Sequence, residues 1–136
     1  MTSQIEKNCS RRIVSSGLFF AFLSILLGAF AAHGLKGIVS EYQLRIFQTS
    51  VRYMMWHSFG LTLYGMVRFY GGGLIKDASS FFPARLYLYG ILLFCGSLFV
   101  LTFVNLPVIG AITPLGGLCF LAAWGSFMTQ VIFSKK

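Results

Sequence analysis

Charged side chains are absent from residues 86–134 of this chain, 49 positions in a row. The hydrocarbon core of a bilayer is about 30 Å thick and takes roughly 20 residues of helix. The block is too long for one crossing and right for two, with Asn105, Leu106 and Pro107 near its middle to turn the chain. A second uncharged block covers 13–32, and a third apolar segment runs from about 53 to 70, where Arg68 is placed to snorkel to the nearby interface. The pattern predicts an all-α integral membrane fold. Its four transmembrane helices, about 13–32, 53–70, 86–104 and 107–133, form an antiparallel bundle. They make one membrane domain, 13–134, behind a basic cytoplasmic tail at 1–12.

Between the first two spans the periodicity changes. Ser40 and Gln43 have the spacing of a capping box. Beyond them Glu41, Arg45, Gln48, Thr49 and Arg52 recur on one helical face, with Leu44, Phe47, Val51, Met54 and Met55 elsewhere round the helix. This predicts an amphipathic helix over about 41–52, lying at the membrane surface or protruding above it. Gly71, Gly72 and Gly73 are expected to end the second span, and a loop through Lys76 and Asp77 leads to the third. Pro107 suits the first helical position of the fourth span, and Pro114 is expected to kink that helix.

Small side chains mark helix-packing faces, because they let backbones approach closely. Gly17, Ala21, Ser24 and Gly28 form such a stripe on the first span, and Gly116, Cys119, Ala123 and Ser126 form one on the last. The first stripe also argues against a cleaved signal peptide, which the basic start and Ala29-Phe30-Ala31 otherwise resemble.

Composition agrees: 57% of residues are hydrophobic and only 10% charged, against about 25% in soluble domains. The net charge of +8 does not imply nucleic acid, because the basic residues flank apolar segments and most Phe lie within them. It implies orientation and attraction to anionic membrane lipid. With four spans, one side holds eight Lys and Arg and the other holds Lys36, Arg45 and Arg52. The positive-inside rule then places both termini in the cytoplasm, in the inner membrane of a bacterium.

Four segments together resemble a known family. They are GAFAAHGL from Gly28 to Leu35, Tyr53-Met54-Met55-Trp56-His57, LLFCGSL from Leu92 to Leu98, and TPLGGLCFLAAW from Thr113 to Trp124. In order and kind they are similar to the small membrane proteins of domain-of-unknown-function family 423, whose eukaryotic relatives are grouped with transmembrane protein 256. Ala31 stands where that pattern has Gly, and Ser58 where it has Ala. The resemblance implies a four-span inner-membrane protein of unknown activity, and it brings no catalytic residues.

His33 and His57 are the only histidines. Placed at the end of span one and the start of span two, they fall toward the same non-cytoplasmic face. With Tyr53 and Thr113 they make a candidate polar site, read as interhelical hydrogen bonding first, a solute or proton site second, and bis-His haem third. Two His do not make a zinc site, so no metal and no cofactor are expected. Cys9, Cys95 and Cys119 show no CxxC spacing and read as free thiols.

Glu6, Glu41 and Asp77 all fall outside the spans, and no GxSxG, HExxH or P-loop motif occurs. The chain is therefore not expected to be an enzyme. The leading reading is an accessory or scaffold subunit packing through its small-residue faces, in a homo-oligomer or a larger membrane complex. The alternative is a carrier or channel for a small solute or protons near His33 and His57.

Overall fold

The computed structural model describes residues 4–70, 74–75, 80–104 and 106–134. The expectations for Gly71 to Gly73, Lys76, Asp77, Asn105, Lys135 and Lys136 lie outside the described residues. The fold is all-α. Helix α1 is Gln4–His33, α2 is Glu41–Tyr70, α3 is Phe82–Phe103 and α4 is Thr113–Ile132, with one short turn Pro107–Gly110 ahead of α4.

Helix α1 begins nine residues before the uncharged block, so 4–12 are helical and continuous with it. It ends where the N–H groups of Gly34 and Leu35 both return to the Phe30 carbonyl, and Gly37 takes a positive φ of 84° to turn the chain. The capping box forms as the spacing predicts. The Ser40 N–H donates to Gln43 Oε1 at 2.9 Å, and the Gln43 N–H donates to Ser40 Oγ at 3.2 Å. Gln43 Nε2 also donates to the Thr102 carbonyl at 2.8 Å, tying the start of α2 to the end of α3.

From Glu41 the helix runs unbroken for 30 residues. No separate surface helix covers 41–52: Phe47 is buried against Ala31 and Leu35. The contacts between α1 and α2 fix their register. Gly65 meets Val14, Gly17 meets Thr62, Gly28 meets Val51 and Phe30 meets Phe47, so the two sequences run past each other in opposite order.

Helix α3 carries one π turn, Ile91–Cys95. It packs on α4 so closely that a Cβ on Gly116 would strike the Phe94 backbone, and one on Gly90 would strike the Phe120 ring. Pro114 does not kink α4. It stands in the first turn of that helix, where a missing N–H breaks no bond. Pro107 likewise opens its own turn, with Leu106 at the N-cap.

Helices α1, α3 and the segment Val108–Ile132 are long and apolar enough to cross a membrane. Helix α2, expected as one of four spans, is not among them. It carries instead a buried polar face. Ser50, His57, Ser58, Tyr64 and Arg68 on α2 are all buried, while Phe19, Phe22 and Ile25 of α1 and Leu118 and Leu121 of α4 are exposed. So many large apolar side chains on the outside suit lipid and not water.

Candidate functional site

The buried face of α2 is polar at a regular interval. Ser50, His57 and Tyr64 recur every seven residues and Arg68 follows one turn later, so the four share one seam facing α3 and α4. Ser50 Oγ donates to the Cys95 carbonyl at 2.9 Å, in the π turn of α3.

His57 sits in the middle of the seam and is 9% exposed. Its ring lies flat on Phe120, centroids 3.4 Å apart and planes 16° apart. Nδ1 is 2.7 Å from the Tyr53 carbonyl. A carbonyl only accepts, so Nδ1 carries a proton, and in the neutral ring Nε2 keeps its lone pair. Tyr53 stacks between His57 and Phe94, with centroids 5.8 and 4.5 Å away. These rings line an open groove of about 520 Å³ together with Pro114, Leu118 and Trp124. A neutral imidazole with a free nitrogen can pass a proton or accept a hydrogen bond there.

The structure joins only part of the expected constellation. Tyr53 and His57 meet. Thr113 pairs instead with Ser97, their hydroxyls 2.7 Å apart. His33 is exposed at the end of α1. The α1–α2 register sets His33 level with about Arg45, and His57 is twelve residues further along α2, or about 18 Å. The expectation that both histidines fall near one face took Tyr53 as the start of a span; His57 is in fact mid-helix. Two imidazoles so far apart do not clamp one haem. Among the described residues no group of three His, Cys, Asp or Glu could hold a metal ion, and Cys9, Cys95 and Cys119 are free.

The small-residue stripes serve contacts within the chain. Gly17 and Ser24 are buried, and a Cβ on Gly17 would collide with Thr62 and the Ser58 carbonyl. Gly28 faces Val51, and Ala21 is half-buried. On α4, Gly116 and Ala123 are buried, with Cys119 and Ser126 half-buried.

A second polar cluster lies at the far end of the seam. Arg68 is 5% exposed and does not snorkel outward. Its Nη1 donates to the Ser80 carbonyl at 2.7 Å, and its guanidinium lies 4.3 Å over the Phe81 ring. Among the described residues Nε and Nη2 are buried without hydrogen-bond partners. Tyr64 Oη donates to the same Ser80 carbonyl at 2.6 Å and lies 3.3 Å from Gln130 Oε1. Buried Tyr87 keeps an unpartnered hydroxyl. The sequence signal for Arg68 was its place on the face shared by Tyr53, His57 and Tyr64; Ser80 and Tyr87 left no such trace.

The fold and this buried polar seam define a small all-helical membrane protein. A family model described as "Protein of unknown function (DUF423)" matches residues 27–117, and the chain belongs to that family. It is 40% identical over 108 residues to the UPF0382 membrane protein YwdK of Bacillus subtilis, covering 79% of this chain and 85% of that one. A UPF0382 membrane protein of Haemophilus influenzae is 36% identical over 114 residues, covering 80% and 88%. One from Staphylococcus haemolyticus is 35% identical over 108 residues, covering 79% and 84%. No solved structure matches. None of these three relatives carries an enzymatic name.

Proposed function

We propose that the chain is a non-enzymatic accessory subunit of a larger membrane complex, crossing the inner membrane four times as an antiparallel bundle. The excess of Lys and Arg on one side supports cytoplasmic termini. One observation supports the accessory role: Gln48 and Arg52 are exposed together on one face of α2. In the α1–α2 register Gln48 is level with about Ala31, at the end of the apolar block of α1, and Arg52 with Leu27, five residues or about 7.5 Å inside it. A guanidinium facing lipid at the bilayer centre costs about 2.5–3.5 kcal/mol on insertion scales, less toward the surface. Snorkelling relieves Arg52 in part but does nothing for Gln48.

A partner helix offering carboxylate or carbonyl acceptors at that depth satisfies both. A twofold copy of this chain meeting on that face would set Arg52 against Arg52, which favours a different chain over a homo-oligomer. The small-residue stripes, used inside the chain, leave this outward polar strip as the contact. A photo-crosslinking side chain at position 48 is expected to give one discrete adduct in membranes, while one at position 22 gives none. The adduct should vanish in Arg52→Leu. A clean, uncrosslinked monomer at position 48 sinks the proposal.

The seam of Ser50, His57, Tyr64 and Arg68 favours a second reading, a carrier of protons or a small polar solute centred on His57 without His33. It predicts pH-dependent flux in proteoliposomes that His57→Ala abolishes. No flux across a broad solute panel rejects it.

A further inference from the structure

We propose that the groove between α1 and α3, at the end of the molecule where both helices leave their basic residues, binds an anionic phospholipid. The groove holds about 380 Å³. Its walls are Ile13, Phe81, Ala84 and Leu88, and its mouth carries two guanidinium groups from different helices, Arg12 and Arg85.

Both arginines are exposed, and neither side chain has a hydrogen bond or ion pair among the described residues. Each directly precedes an uncharged block, Arg12 before 13–32 and Arg85 before 86–134, so both stand at one water–hydrocarbon boundary. Arg85 also lies in the first turn of α3, which has no acidic residue. The positive end of the helix dipole opposes a cation there and welcomes an anion between the two arginines. Behind the wall, buried Arg68 lies over Phe81 and adds a third positive charge.

The ligand this geometry selects has an oxyanion at the boundary and a hydrocarbon chain below it. A phospholipid has both. Three guanidinium groups repel the cationic headgroup of a zwitterionic lipid and attract a net-negative one, as basic pockets between membrane helices do. The occupant is therefore an anionic phospholipid from the leaflet that faces this end.

The test uses the full chain in nanodiscs of equal phosphatidylglycerol and phosphatidylcholine, with retained lipid measured by native mass spectrometry. Wild type is expected to retain phosphatidylglycerol preferentially. Arg12→Gln with Arg85→Gln should lower that retention about tenfold or more. Arg45→Gln, at the other end of the molecule, should leave it unchanged.

Leu88→Trp fills the wall while keeping both arginines, and it too should expel the lipid. This second variant keeps the test open if the double variant fails to fold. Equal retention of the two lipids by wild type overturns the proposal, as does unchanged retention in Leu88→Trp. Displacement of the lipid by millimolar inorganic phosphate alone would show a free-anion site and overturn the lipid assignment.

Discussion

Gly116 of α4 lies directly against the backbone of Phe94 in the π turn of α3, with no room for a side chain between them. Gly17 of α1 stands in the same relation to Thr62 of α2. Adding a methyl group to such a contact forces the helices apart, at about 1–3 kcal/mol. Gly116→Ala and Gly17→Ala are each expected to lower stability by that amount in denaturant titrations of the detergent-solubilised protein. Gly125→Ala, where a Cβ meets nothing within 4 Å, should change it by under about 0.5 kcal/mol. Equal effects at all three glycines would contradict the packing described.

The bond from Ser50 Oγ to the Cys95 carbonyl crosses between helices within the enclosed core. Interhelical hydrogen bonds in membrane proteins average about 0.6 kcal/mol and reach about 1.7. Ser50→Ala should lose an amount in that range. Cys95→Ala, which leaves the accepting carbonyl in place, should preserve the bond. In a double-mutant cycle the two changes should therefore add within about 0.5 kcal/mol. Ser97 and Thr113, which bond through their side chains, should instead show a coupling above that limit.

Much of the fold was legible in the sequence because hydrocarbon thickness and backbone hydrogen bonding leave few choices. The uncharged blocks at 13–32 and 86–134 coincide with helices, and Ser40 with Gln43 makes the predicted cap. The depth of His57 was not legible. Amphipathicity over 41–52 suggested a surface helix, although no Gly or Pro interrupts the chain between Ser40 and Gly60. That absence was the signal that α2 continues.

The partner of Thr113 depends on how α3 meets α4, and local pattern carries no information about that. Pro114 was ambiguous for a similar reason. A proline kinks a helix or opens one depending on where the helix begins, and here it begins at Thr113. Arg68, placed by the sequence to snorkel to the interface, is buried along the same seam as His57. An arginine near a helix end gives no sign of whether it turns out to water or inward to a ring.

Arg68 makes that inward turn testable. Tyr64→Phe removes a hydroxyl that donates to the Ser80 carbonyl at 2.6 Å, and it should cost about 0.5–1.5 kcal/mol. Phe81→Leu keeps an apolar wall but takes away the ring 4.3 Å from the guanidinium, and should cost about 1–2 kcal/mol. Arg68→Met removes a buried charge whose Nε and Nη2 have no partners among the described residues. It is expected to be neutral or stabilising, because an apolar side chain of similar volume needs no desolvation. An arginine that reached outward to water would reverse this pattern, leaving Phe81→Leu silent.

The threading of the chain sets the last expectation. If α2 crosses beside α1 in the register of Gly17 with Thr62 and Gly28 with Val51, the turn at Gly37 and the start of α1 lie on opposite sides of the membrane. In a Cys-free background, a single cysteine at Lys36 should react with a membrane-impermeant maleimide in intact cells. One at Lys7 or Ser134 should react only after the membrane is opened. The Lys and Arg excess on the termini's side is the reason for expecting that direction. Labelling of positions 7 and 134 from opposite compartments would mean an odd number of crossings. Helix α2 would then lie outside the bilayer, as its absence from the helices apolar enough to span would permit. The burial of Ser50, His57 and Tyr64 against α3 and α4 argues for the even number, because it sets α2 beside helices long and apolar enough to cross.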